Sequence, residues 1–127
     1  MHHSRLGGII IDCQIEDLAA AAEFWRRALG YRIRTSLDPV DSGYLIFDTA
    51  EDELHIEVQK VDHPSRVHLD IETDDVEAEV RRLEALGARC VRQVHDWWVM
   101  EAPTGHRFCV VRAQGSSFAE EANRWED

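Results

Sequence analysis

At 127 residues the chain is long enough for one domain with a buried core and too short for two ordinary ones. Its 25 Asp and Glu against 14 Lys and Arg leave a formal charge of -11, which repels polyanions and argues against nucleic acid or an anionic membrane surface as partners. With 44% hydrophobic and 31% charged residues, the composition is that of a folded globular domain and not of a disordered segment. No apolar run approaches the ~20 residues that cross a bilayer, and acidic residues follow the first short apolar stretch too soon for a signal peptide, so a cytoplasmic location is expected. Cys13, Cys90 and Cys109 are odd in number and scattered, the usage of free thiols in a reducing compartment.

In chain order, His2 and His3 read as the remnant of an added tag and are given no chemistry. Gly8 to Ile15 is apolar and β-branched and predicts a strand. Asp17 then caps a helix whose apolar stripe is Leu18, Ala21, Ala22, Trp25, Ala28 and Leu29, with Gly30 at its left-handed C-terminal position. Tyr31 to Thr35, Tyr44 to Phe47 and Leu54 to Val58 read as further strands. The second half repeats the grammar. Val67 to Glu72 alternates as a strand, Asp74 or Asp75 caps a helix with Val76, Val80, Leu83 and Leu86 on its apolar face, and Gly87 ends it before a strand from Ala88 to Val91. Trp97 to Met100 and Arg107 to Val111 are two more strands, separated by the turn Pro103-Thr104-Gly105. Asp12 aligns with Asp70, Asp17 with Asp75 and Gly30 with Gly87, so the chain reads as a duplicated βαβββ unit.

This predicts one α+β domain spanning 1–127: a first βαβββ unit over 6–62, a second over 63–113 and a helical tail over 114–127. Two units make a cupped, mixed eight-stranded sheet whose convex face, carrying Ile9, Ile11, Leu69 and Ile71, is covered by the two helices. The polar concave face is left for function. In the tail, Ser117 and Glu120 have capping-box spacing, and Phe118, Ala122 and Trp125 share a helical face. Those aromatics need cover from their own domain or a second subunit. A homodimer is the preferred expectation.

The duplicated unit, with Ile15-Glu16-Asp17-Leu18 opening the first helix, His68-Leu69-Asp70-Ile71 opening the second unit and Ala102-Pro-Thr-Gly-His106-Arg-Phe-Cys109 near the end, resembles the vicinal oxygen chelate superfamily. This is the glyoxalase/bleomycin-resistance/dioxygenase fold, and the stretches 66–87 and 98–111 look most like its small bacterial glyoxalase-like branch. The resemblance implies a site on the concave face. Its metal-dependent members place a ligand on the first strand of each unit and an acid on the last. Carried over, His68 and Glu57 match, whereas Ile10 and Cys109 stand at the other two positions.

Strand alternation puts His68, Asp70 and Glu72 on one face, Ile10 and Asp12 on the equivalent face, and His55 and Gln59 beside Glu57. His68 and Glu57 are the candidate catalytic pair. Asp12, His55, Asp70, Cys109, Met100 and one of Trp97 and Trp98 are the candidate ligand-binding residues, the tryptophan and Tyr44 supplying an apolar wall. Loss of two ligand positions leads to the expectation of no stoichiometric metal. If a divalent ion is held, Glu57, His68 and Cys109 are its expected ligands, with Asp12 standing in for the missing donor. Cys13, Cys90 and Trp25 are assigned to the core. Three functions follow: a small-molecule-binding protein with catalysis unproven, a metal-dependent lyase or isomerase, and an oligomerising interaction module.

Overall fold

Asp17 and Asp75 start the two long helices by the same device. Each is extended, at φ -104° and -145°, and turns its carboxylate back onto amide N–H groups of the first turn, Ala19 and Ala20 for Asp17 and Ala78 for Asp75. The computed structural model describes residues 1–34, 43–50, 53–114 and 118–126. Its elements run β1 (His2–Cys13), α1 (Leu18–Leu29), β2 (Arg32–Ile33), β3 (Tyr44–Asp48), β4 (His55–Lys60), β5 (Arg66–Thr73), α2 (Val76–Ala85), β6 (Arg89–Val94), β7 (Trp97–Glu101), β8 (Arg107–Arg112), α3 (Phe118–Glu121) and β9 (Asn123–Trp125). This is an α+β fold in which βαβββ occurs twice. Thr35 and Ser117 lie outside the described residues.

The chain divides into two compact units, one of Ile9–Val67 and one of Met1–Gly8 with His68–Asp127. In the Ile9–Val67 unit the strands lie in the order β2-β3-β4-β1. Ala21 and Ala22 of α1 are buried against Ile11, Cys13, Phe47 and Val58, with Leu18 and Trp25 partly buried at the margin. Positions 18, 21, 22 and 25 keep the i, i+3, i+4, i+7 spacing of one helix face. The last turn, with Ala28 and Leu29, ends in solvent at Gly30, whose φ of +80° suits a residue without Cβ.

In the other unit the order is β1-β5-β8-β7-β6, with β9 added along β1. β5 and β8 are parallel, and β8 is antiparallel to β7. Val80 and Leu83 of α2 pack on Met100 and Val110, flanked by Val76, Ile71, Cys90, Trp98 and Phe108. Leu86, expected on this face, is exposed because the helix ends at Ala85 and Leu86 is its cap. Leu69 is also exposed: the cover given by α2 reaches Ile71 and stops short of it.

Three expectations are corrected at the chain ends. First, β1 begins at His2, not Gly8, and His2 is a buried structural residue. Its Nε2 lies 2.8 Å from Glu79 Oε1, and Arg82 grips the same carboxylate with two bonds of 2.8 Å. Second, the tail is not one helix. After a single turn at Phe118–Glu121 it becomes β9, a ninth strand where eight were expected, with Trp125 opposite His2. Third, its aromatics are covered by the chain itself. Trp125 Nε1 donates to Ser4 Oγ at 2.8 Å, the Arg82 guanidinium lies 3.9 Å from the Trp125 ring centre, and Phe118 is buried with Arg5 over its ring. The tail therefore supplies no reason for a second subunit.

Candidate functional site

In the Met1–Gly8 and His68–Asp127 unit, the residues packed beneath α2 fix which way each strand faces. Ile71, Phe108, Val110, Trp98 and Met100 point toward the helix. By the period of two, His68, Asp70 and Glu72 on β5, Arg107, Cys109 and Val111 on β8, and Trp97, Val99 and Glu101 on β7 point away from it. Registers Asp70↔Cys109 and Val99↔Cys109 make Cys109 the middle of a row across three strands. His68, Asp70 and Cys109 each offer a ligating atom, all within 4.8 Å of one another.

The charges of this face are matched unevenly. Glu72 is buried and accepts from Arg5 Nε at 2.6 Å, and Glu101 is gripped by Arg89 at 2.7 Å and Arg107 at 3.3 Å. Among the described residues Asp70 has no arginine of this kind and its buried Oδ1 accepts no hydrogen bond; that oxygen stands 3.5 Å from His68 Nε2. Two other His–carboxylate pairs close to hydrogen-bond distance, His2 with Glu79 at 2.8 Å and His3 with Asp74 at 2.7 Å. His68 and Asp70 do not.

The expected site residues therefore separate. His68, Asp70 and Cys109 come together, and Trp97 shares their face with its ring 5.3 Å from that of His95. Met100 is fully buried under α2 with Trp98 beside it, so both are withdrawn from the ligand-binding set. The parity that turns Trp98 inward does the same to Met100. Arg5 and Arg107 were missed. Alternation from Cys109 identifies Arg107, whereas Arg5 had no signal because the strand was read as starting at Gly8.

The Ile9–Val67 unit has its own polar face. Ile56, Val58, Leu45 and Phe47 pack with α1, which leaves His55, Glu57, Gln59, Tyr44 and Ile46 on the other side. Ile46 is paired with Glu57, and Gln59 Nε2 donates to Tyr44 Oη at 2.9 Å. Asp12 and Ile10 are buried on β1, on the side opposite Ile11 and Cys13. The thiols of Cys13 and Cys90 are both pushed up, chiefly by burial and further by the carboxylates of Asp12 and Glu84.

A buried carboxylate oxygen without a hydrogen bond, next to an imidazole and a thiol, fits a cation that accepts nitrogen, oxygen and sulfur together. It does not fit an ion that demands an all-oxygen shell. His68, Asp70 and Cys109 are the residues that would hold such an ion, which would act as a Lewis acid toward a guest oxygen. Ile10 has no donor atom and takes no part.

A family model described as a glyoxalase-like domain matches residues 8–111. Among solved structures, the chain is similar to a hypothetical protein from Bacillus halodurans C-125, with 12% identity over 89% of this chain and 96% of that one and a TM-score of 0.63. It is similar to methylmalonyl-CoA epimerase from Mycobacterium tuberculosis, with 18% identity over 87% and 88% and a TM-score of 0.59. It is also similar to a glyoxalase/bleomycin resistance protein/dioxygenase superfamily member from Vibrio splendidus 12B01, with 15% identity over 87% and 99% and a TM-score of 0.56. No curated protein matches the chain significantly. Among the described residues, no helix is long and apolar enough to cross a membrane.

Proposed function

Because the chain belongs to the family of glyoxalase-like domains, we propose that it binds a small organic molecule on a helix-free face of its sheet, around His68, Asp70 and Cys109. The observation that carries this reading is the buried Asp70 oxygen left without a hydrogen bond. Leaving such an acceptor unsatisfied costs about 1–3 kcal/mol, and a guest hydroxyl or amide N–H would recover that cost. His68 supplies a second polar contact, Val99 and Trp97 an apolar flank, and Arg107 a nearby positive charge held by Glu101. The reading places the protein in the cytoplasm, where its free thiols persist.

Metal-dependent lyase or isomerase chemistry is the second reading, favoured by the thiol, imidazole and carboxylate set. The interaction module gains nothing from the tail, whose aromatics are covered within the chain. The test is a fragment screen on chelator-treated protein, read by amide chemical shifts. Binders should perturb Cys109 and Val99, and their affinity should fall about tenfold or more in His68→Ala, the worth of one charge-assisted hydrogen bond. Glu57→Ala is the companion variant for the Ile9–Val67 face. Binders with unchanged affinity for folded His68→Ala and Asp70→Asn would put the site elsewhere.

A further inference from the structure

We infer that Arg107 is an anion-binding residue of the candidate site and that the small molecule taken there is a monocarboxylate. The inference rests on the reading above for its location and adds the class of ligand.

The first argument is how the arginines are used. Registers Arg89↔Glu101 and Glu101↔Arg107 set three side chains in one row across β6, β7 and β8, on the face turned away from α2. Arg89 commits Nε and Nη2 to one Glu101 oxygen, each at 2.7 Å. Arg107 reaches the other oxygen through Nε alone, at 3.3 Å, and among the described residues its two terminal nitrogens have no protein acceptor. Its side chain is 33% exposed. Arg5, Arg26 and Arg82, at 20%, 34% and 25%, each place two nitrogens on carboxylates. A guanidinium anchored through Nε presents its remaining N–H groups as a fork that takes both oxygens of a planar anion.

Charge is the second argument. Two guanidiniums around one carboxylate leave the row with one positive charge. The hydrogen bond from Arg89 outweighs desolvation and, with the charges of Arg89 and Arg107, holds the Glu101 carboxyl below its ordinary range, so the row keeps that charge at neutral pH. One positive charge matches a carboxylate. A phosphate monoester dianion would stay half unmatched on a chain of formal charge -11.

The layout supplies the rest of the ligand. Val99, Cys109 and Asp70 form the next row on the same face, about 7 Å along the strands. A carboxylate on Arg107 thus lays the body of the ligand over Val99 and Cys109. A hydroxyl or amide N–H on its far side then meets the buried Asp70 oxygen that accepts no hydrogen bond. Glu101 is a positioning residue, since its bond to Nε aims the free end of Arg107.

The experiment uses the full chain, treated with chelator, and three acids of increasing length: 4-hydroxybenzoate, 4-hydroxyphenylacetate and 3-(4-hydroxyphenyl)propanoate. Each is titrated against its own primary amide, which keeps the shape and removes the charge, with amide chemical shifts as the readout. At least one acid should bind about tenfold or more tightly than its amide and perturb Cys109 and Val99. Arg107→Gln should erase that preference while leaving the affinity of the amide unchanged, and Arg107→Lys, which keeps the charge but not the fork, should restore only part of it. Circular dichroism establishes that each variant is folded. Equal affinity for acid and amide, no binding of any acid, a preference that survives in folded Arg107→Gln, or tighter binding of 4-hydroxyphenyl phosphate than of every acid each overturns the inference. Acids and amides that bind alike but are lost in His68→Ala would leave the small-molecule reading standing. An Arg107-dependent preference indifferent to His68→Ala and Asp70→Asn would instead keep the anion site and remove that reading's centre.

Discussion

Replacing Glu79 by Gln should destabilise the protein by about 3 kcal/mol. The carboxylate is fully buried on α2, takes two bonds from Arg82 of the same helix and one from His2, and is therefore the anion that ties α2 to β1. Gln has nearly the same shape but replaces one acceptor oxygen with a donor that faces Arg82 and removes the opposing charge. Breaking a buried pair costs about 3–5 kcal/mol. The lower end applies because the Arg82 side chain is one quarter exposed and keeps contact with water and with the Trp125 ring. In a chain of this size, 3 kcal/mol corresponds to a Tm lower by about 10 °C, measured by circular dichroism. The pH dependence gives a second readout. Burial pushes the Glu79 carboxyl up, but hydrogen bonds from Arg82, His2 and Ser4 outweigh it and hold the group below its ordinary value of 4.5. Its contribution is thus present above about pH 4.5 and lost as pH falls through the depressed value. The gap between wild type and Glu79→Gln should narrow in acid. A variant within about 0.5 kcal/mol of wild type at pH 7, or a gap that widens on acidification, would refute the reasoning.

Met100→Ala should cost about 2–5 kcal/mol in urea denaturation, whereas Trp97→Ala, on the helix-free face, should cost less than half as much; equal losses would mean that β7 faces the other way. Gly7→Ala should cost about 1–3 kcal/mol, since its Cβ would lie 2.8 Å from Cγ of a Glu72 that Arg5 holds in place, and trimming Glu72 to Ala in the same chain should remove that incremental penalty.

Much of the architecture was legible in local pattern. Aspartates 58 residues apart announced both helix starts because N-capping is decided within four residues, and alternation along β5 put Ile71 inward and His68 with Asp70 outward. What failed was non-local. His2 is followed by polar His3, Ser4 and Arg5 and belongs to no apolar stripe, and its burial goes with a carboxylate 77 residues away. Trp125 looked helical for the same reason: its partner strand lies at the other end of the sequence, and propensity does not see pairing. At the site, carrying over one position per strand pointed to His68 and Cys109; that Asp70 lies beside the thiol is set by the register of β5 with β8, which the sequence does not display.

Ser4 and Arg5, in the first segment of β1, are held by residues synthesised long after them. Ser4 waits for Trp125, 121 positions later, and Arg5 for Glu72 and Glu121. At the pace of translation, ~5–20 residues per second, that is an interval of several seconds or more, during which a strand of alternating side chains has no neighbour of its own. An unpaired strand edge is a template for whatever chain comes within reach. A ribosome that stalls, or a message that is cut, before β9 emerges would therefore release a polypeptide whose earliest strand lacks one of its native neighbours.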